Sequence, residues 1–142
     1  AEKAARISAL TKDLSELLPE LVPALRGKVT PNPRLAFHPP CTLQHGQQLK
    51  GGVEQHLGAL GFDIQASRNE AHLCCGSAGT YSVLNPEISY TLRDRKLGHL
   101  GELGAQTIVS ANIGCITHLQ SGTDTPVRHW VEVLDEALSL ST

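Results

Sequence analysis

The sequence predicts an α/β fold: a small, Rossmann-like parallel sheet of about four strands flanked by helices, with an N-terminal helical arm. Three observations carry this prediction. From residue 34 onward, short apolar runs alternate with longer segments whose apolar residues recur every three or four positions. Glycines and prolines sit at the joints between them, at Pro86, Gly61 and Gly104. Strictly alternating strand and helix calls for parallel strands with helical crossovers on the sheet faces, and 142 residues suit one domain with a respectable core.

The arm comes first, over residues 1–33. Ile7, Leu10, Leu14, Leu17, Leu18, Leu21 and Leu25 mark one helix face, which Pro19 and Pro23 are expected to break or kink. The segment "TPNPR" is extended, because residues before proline avoid the α region. Ordinary packing of the arm on the core is the favoured expectation over an arm reaching toward a neighbour. The domain proper then runs over 34–142. Its first strand is "RLAFH" and its first helix "TLQHGQQLKGGVEQHLGALG", weakened inside by Gly51 and Gly52. A second strand, "FDIQAS", leads into a loop. A second helix spans 86–104, a third strand 106–112, a short helix 115–122, a fourth strand 125–130 and a closing helix 131–140.

Composition excludes several classes. Twelve basic against fourteen acidic residues give a formal charge of -2, so nothing favours nucleic acid or an anionic membrane as partner. No apolar run approaches the ~20 residues of a membrane span. No secretory signal is recognisable, which points to the cytoplasm. Methionine is absent, and the opening "AEKAARISAL" reads as a piece of a longer protein.

The chemistry lies in four cysteines, Cys41, Cys74, Cys75 and Cys115. Vicinal Cys74 and Cys75 are poorly placed to bond to each other, since so small a ring strains a disulfide. In a reducing compartment, clustered cysteines read as metal ligands or redox groups rather than a disulfide framework. Each cysteine follows a predicted strand. In a parallel sheet the loops leaving the strands' carboxyl ends share one edge, where such folds take their ligands. The four thiols are therefore expected on one rim, with Cys41 and Cys115 at helix starts that favour thiolates. The "GSAG" segment, with Gly76 and Gly79, is expected to turn backbone N–H groups toward sulfur.

The spacing C-x32-CC-x39-C-x2-H has neither the paired knuckles of a zinc ribbon nor the compact run of a ferredoxin. Four thiols around one point still suit iron–sulfur chemistry or zinc. His118, three residues after Cys115, is a candidate further ligand. His38, three residues before Cys41, is a candidate hydrogen-bond partner of a ligand or sulfur. "GSAG" lacks the lysine of a phosphate loop, and "RDRK", residues 93–96, reads as a solvated basic face.

The stretches "HPPC", "HLCCGSAGTY", "SANIGCITHLQSG" and "PVRHW" resemble the cysteine-rich CCG domain found in heterodisulfide reductases and related proteins, and are most similar to the iron–sulfur subunits of glycolate oxidases. The resemblance spans about residues 34 to 140. It implies an α/β unit whose CCG cysteines hold an iron–sulfur cluster, or zinc in some copies. A single [4Fe–4S] cluster on Cys41, Cys74, Cys75 and Cys115 is the simplest expectation, with His118 able to replace a thiolate. The implied role is electron transfer from flavin-containing subunits that oxidise glycolate. The implied partners are those subunits and the remainder of the same chain, with peripheral association at the inner membrane through the complex. The chain would thus belong to an oxidoreductase without being catalytic alone. The family pattern commonly ends C-x2-C where this chain has His118, which counts against a five-cysteine cluster pair. Two alternatives stay open: a structural zinc module of the same fold, and a thiol–disulfide redox domain like the heterodisulfide reductases.

Overall fold

A computed structural model describes residues 1–139. Four strands, β1 (Leu35–His38), β2 (Ile64–Ala66), β3 (Thr107–Ser110) and β4 (Val127–His129), form one sheet in the order β2-β1-β3-β4. Every neighbouring pair is parallel, with Leu35 beside Ile64 and Thr107, and Ile108 beside Val127. The fold is thus the α/β class the alternation predicts. β1 and β3 are buried at every position, as strands covered on both faces must be.

Two apolar layers cover the sheet. On one face Leu35, Phe37 and Val109 meet α2 (Leu18–Leu25), α3 (Gly52–Ala59) and α7 (Trp130–Ser139) through Leu18, Leu57, Trp130 and Val133. On the other, Ala36, Ile108 and Val127 meet α5 (Pro86–Gly101) and α6 (Ile113–Gln120) through Leu100, Cys115 and Leu119. Period-two alternation along β1 therefore sends Phe37 to one layer and Ala36 to the other.

Several boundaries differ from the sequence-based expectation, each for a local reason. The predicted arm helix breaks near Thr11–Asp13, ahead of both prolines. α1 (Glu2–Leu10) ends there, and Asp13 caps the following 3-10 turn, Leu14–Leu17: its carboxylate accepts from the Ser15 amide at 2.9 Å while Glu16 reaches back to the Asp13 amide at 2.7 Å. Pro19 then sits harmlessly in the first turn of α2. α2 packs into the core through Leu18 and Val22, whereas α1 buries nothing. The helix predicted over 42–61 is two pieces, a π-helical turn at Thr42–Gly46 and α3. Gln48 and Gly51 lie between them at positive φ, which no continuing helix permits. A short helix, α4 (Tyr81–Leu84), occupies part of the predicted cysteine loop. β4 stops at His129 because Trp130 already starts α7, and position 140 of the predicted closing helix lies outside the described residues.

Candidate metal centre

β1 and β3 lie side by side, yet their connections run to opposite ends of the sheet: β1 to β2, β3 to β4. Such a reversal opens a crevice at the strands' carboxyl ends, the usual ligand position in these folds. The chain places its cysteines there. Cys41 precedes the π-helical turn after β1, Cys74 and Cys75 follow β2, and Cys115 is the third residue of α6 after β3. Asn112 caps α6 by accepting from the Cys115 amide at 3.2 Å, which fixes that thiol's approach. All four line one cavity of about 500 Å³, together with Ser77 and Gly79.

The thiols are free. Cys75 and Cys115 are buried, Cys41 and Cys74 half-buried. They form a chain, Cys41 to Cys74 to Cys75 to Cys115, in which each of the first three is discouraged from ionising by the thiol after it, while Cys74 and Cys75 are eased toward ionisation by the thiol before them. Hydrogen bonding to Cys115, with burial, pushes the Cys75 thiol up to about 11. Hydrogen bonding to Cys75, with burial, pushes Cys74 up further. Burial, then Cys74, raises Cys41. Burial and the neighbouring thiol therefore work against the thiolate expected at Cys41 from its place before a helical turn. One turn of dipole does not outweigh burial beside another thiol. Backbone donors oppose the rise, as expected of "GSAG": the Gly76 amide lies 3.3 Å from Cys74 Sγ, and the Ser77 amide lowers Cys75.

His38 closes the inner end. Its ligating nitrogen and the sulfurs of Cys75 and Cys115 all lie within 4.8 Å of one another. The ring is 1 % exposed, and its Nε2 has no hydrogen-bond partner among the described residues. Burial, helped by nearby Lys96, holds the imidazole neutral, with its pKa down to about 3. A buried ring nitrogen left without a partner costs free energy unless a ligand satisfies it. The donor set thus fits a soft, thiophilic metal centre.

His118 does not join this group. Ser89 Oγ gives its only proton to the Gly76 carbonyl at 2.8 Å, so His118 Nε2, at 3.0 Å from that hydroxyl and 3.3 Å from the Ser89 carbonyl, carries the proton and donates. Its ring stacks on Tyr90, with centroids 6.0 Å apart, and Arg93 lies over Tyr90. The expected ligand is thus committed to α5, where it braces the turn after Cys75. Gly76 has no room for a side chain: at φ +94°, a Cβ would lie 2.3 Å from the Ser89 carbonyl oxygen. Gly79, at φ +60°, borders the cavity with open space around it.

The "RDRK" face is solvated only in part: Asp94 and Arg95 are exposed and Arg93 is half-buried. Arg95 pairs with Glu70, and Lys96 points inward, 2 % exposed. Sequence carried a signal for it. Ser89, Lys96 and Leu100 fall on one face of α5 at helical spacing, so the lysine occupies a core position.

A cysteine-rich domain family model, CCG, matches residues 35–120. The chain is 48 % identical over 138 residues to the glycolate oxidase iron-sulfur subunit of Escherichia coli (strain K12), covering 97 % of this chain and 33 % of that protein. It is 30 % identical over 142 residues to lactate utilization protein A of Geobacillus kaustophilus (strain HTA426), covering 94 % of this chain and 58 % of that one. The chain therefore spans about a third to somewhat over half of the curated relatives it matches. No helix among the described residues is long and apolar enough to cross a membrane. With the family match over most of the sheet and its cysteine loops, this chain belongs to the cysteine-rich CCG domain family.

Proposed function

We propose that this domain holds an iron–sulfur cluster, most simply [4Fe–4S], on Cys41, Cys74, Cys75 and Cys115, and serves electron transfer. One observation carries the reading: four free thiols from three separate segments that follow β1, β2 and β3 line a single cavity. When bound, such a cluster takes up and gives back single electrons. The chain's own groups do the rest. The Gly76 and Ser77 amides direct N–H dipoles at sulfur, and the buried His38 ring keeps water from the inner thiols. Loading displaces thiol protons from Cys41, Cys74 and Cys75, so it weakens as pH falls. His118 positions the turn rather than ligating.

The relatives' names support the wider role. We infer that the domain works within a glycolate oxidase-type complex, beside flavin-containing subunits and the rest of its own polypeptide, at the cytoplasmic side of the inner membrane. The domain itself relays electrons and oxidises no substrate. Its two parts are the arm of 1–33 and the cysteine-rich unit of 34–142.

One observation favours a second reading, a structural zinc site: His38, Cys75 and Cys115 form a compact mixed nitrogen–sulfur set. Anaerobic purification and reconstitution with iron and sulfide separate the two. Brown protein with stoichiometric iron and labile sulfide supports the cluster. Colourless protein that retains zinc and refuses iron and sulfide refutes it.

A further inference from the structure

Lys96 is a buried cation without an ion-pair partner among the described residues. α5 carries it inward, and it is 2 % exposed. Its Nζ donates to the Glu70 main-chain oxygen at 2.7 Å. Among the described residues no carboxylate lies within 4.0 Å of it. The nearby Glu70 carboxylate is occupied by Arg95 and His99. Lysine is almost never this buried unless an anion faces it. An ammonium has three N–H donors, and the Glu70 carbonyl takes one. Besides Glu70, its charge acts on Cys41, Cys74 and Cys75, which line the cavity, and on the buried His38 beside them.

We propose that Lys96 is the counter-ion of the thiolate centre, a fixed positive charge that completes the site electrostatically and sets its reduction potential. The inference rests on the metal-centre reading above. Four thiolates around an iron–sulfur cluster or around zinc leave a net negative charge in a low-dielectric pocket. A cation within reach stabilises that charge, and stabilises it more after an electron has been added. Lys96 therefore favours the reduced state. It touches the centre through its field, while its N–H bond to Glu70 holds it in place at the start of the loop that leads to Cys74.

The test compares Lys96→Met and Lys96→Arg with the wild-type chain after anaerobic reconstitution. Iron and sulfide content report assembly, and a redox titration followed by electron paramagnetic resonance reports the potential. Lys96→Met is expected to assemble the cluster but to be at least tenfold harder to reduce, about 59 mV more negative for a one-electron couple. Lys96→Arg, which keeps the charge, is expected to stay within about threefold of wild type, the margin expected of a retained cation at the same distance. A second readout separates this inference from the cluster reading. If iron and sulfide do not assemble on the wild type, the cluster reading fails, and the counter-ion is judged by cobalt(II) affinity from thiolate charge-transfer absorption. A tenfold loss in Lys96→Met, absent in Lys96→Arg, then supports it. Should Lys96→Met not fold, Lys96→Gln takes its place in both arms. Equal potentials and equal cobalt affinities overturn the proposal, as does an arginine variant shifted as far as the methionine one. So does a wild-type protein that takes neither metal.

Discussion

Gly76→Ala tests how the cysteine turn is held. The new Cβ would sit 2.3 Å from the Ser89 carbonyl oxygen and 3.1 Å from His118 Nε2. The first contact is about 1 Å short of ordinary van der Waals separation, and its target is backbone in the first turn of a packed helix. Neither side yields cheaply. Relief requires the Cys74–Gly76 turn to back away from α5, which strains the Ser89-to-Gly76 hydrogen bond and draws Cys75 off His38 and Cys115. Forcing a side chain into such a place costs about 1–3 kcal/mol, and a non-glycine residue at positive φ adds about 1–3 kcal/mol. The expected loss is about 2–6 kcal/mol, a large share of a small domain's stability. Gly79→Ala is the control: it shares the positive φ but meets nothing within 4 Å, so only the backbone cost of about 1–3 kcal/mol applies. Urea unfolding of the metal-free variants gives the two values, and iron content after reconstitution gives the functional consequence. If Gly76→Ala proves no less stable than Gly79→Ala and loads metal fully, the claim that α5 clamps the turn is wrong.

Three further outcomes follow from the same contacts. His118→Leu removes the donor to Ser89 and is expected to cost about 1–3 kcal/mol by leaving that serine under-satisfied, while iron per domain stays at the wild-type value; a proportional loss of iron would restore His118 as a ligand. Glu70 has its carboxyl held below the ordinary value first by the hydrogen bond from His99 and then by Arg95. Its contribution to stability is therefore complete above pH 4.5 and fades as pH falls through the lowered folded value. Melting temperature below pH 4.5 is expected to fall more steeply in wild type than in Glu70→Gln, and parallel curves would refute the linkage. Trp130→Ala empties a site 3 % exposed between the sheet and its helical cover and is expected to cost about 3–5 kcal/mol by chemical denaturation, without changing the thiols' spacing.

The convergence of the cysteines was legible in the sequence because it depends only on strand order. Loops after parallel strands share an edge whatever their length, so separations of 32 and 39 residues did not matter. What stayed hidden depends on three-dimensional neighbours. His38 and His118 both stand three residues from a cysteine, and spacing alone cannot rank them. The strand end aims His38 into the buried layer, whereas α6 turns His118 toward Ser89, a residue whose proximity no local pattern announces. Lys96 defies the expectation because a charged residue on a helix is ordinarily solvated. Its Nζ instead turns inward to the main-chain oxygen of Glu70, a partner far away in sequence. The division of the helix after β1 is hidden because one residue, Gln48, adopts a left-handed conformation that propensity disfavours.

The graded burial of the four sulfurs gives the domain a front and a back. Cys75 and Cys115 lie against the sheet layer with His38 behind them, while Cys41 and Cys74 remain half open to solvent. If the centre exchanges electrons as proposed, a redox partner's short approach runs over the outer two sulfurs, and oxygen's runs the same way, so a partner docked there would also shield the domain.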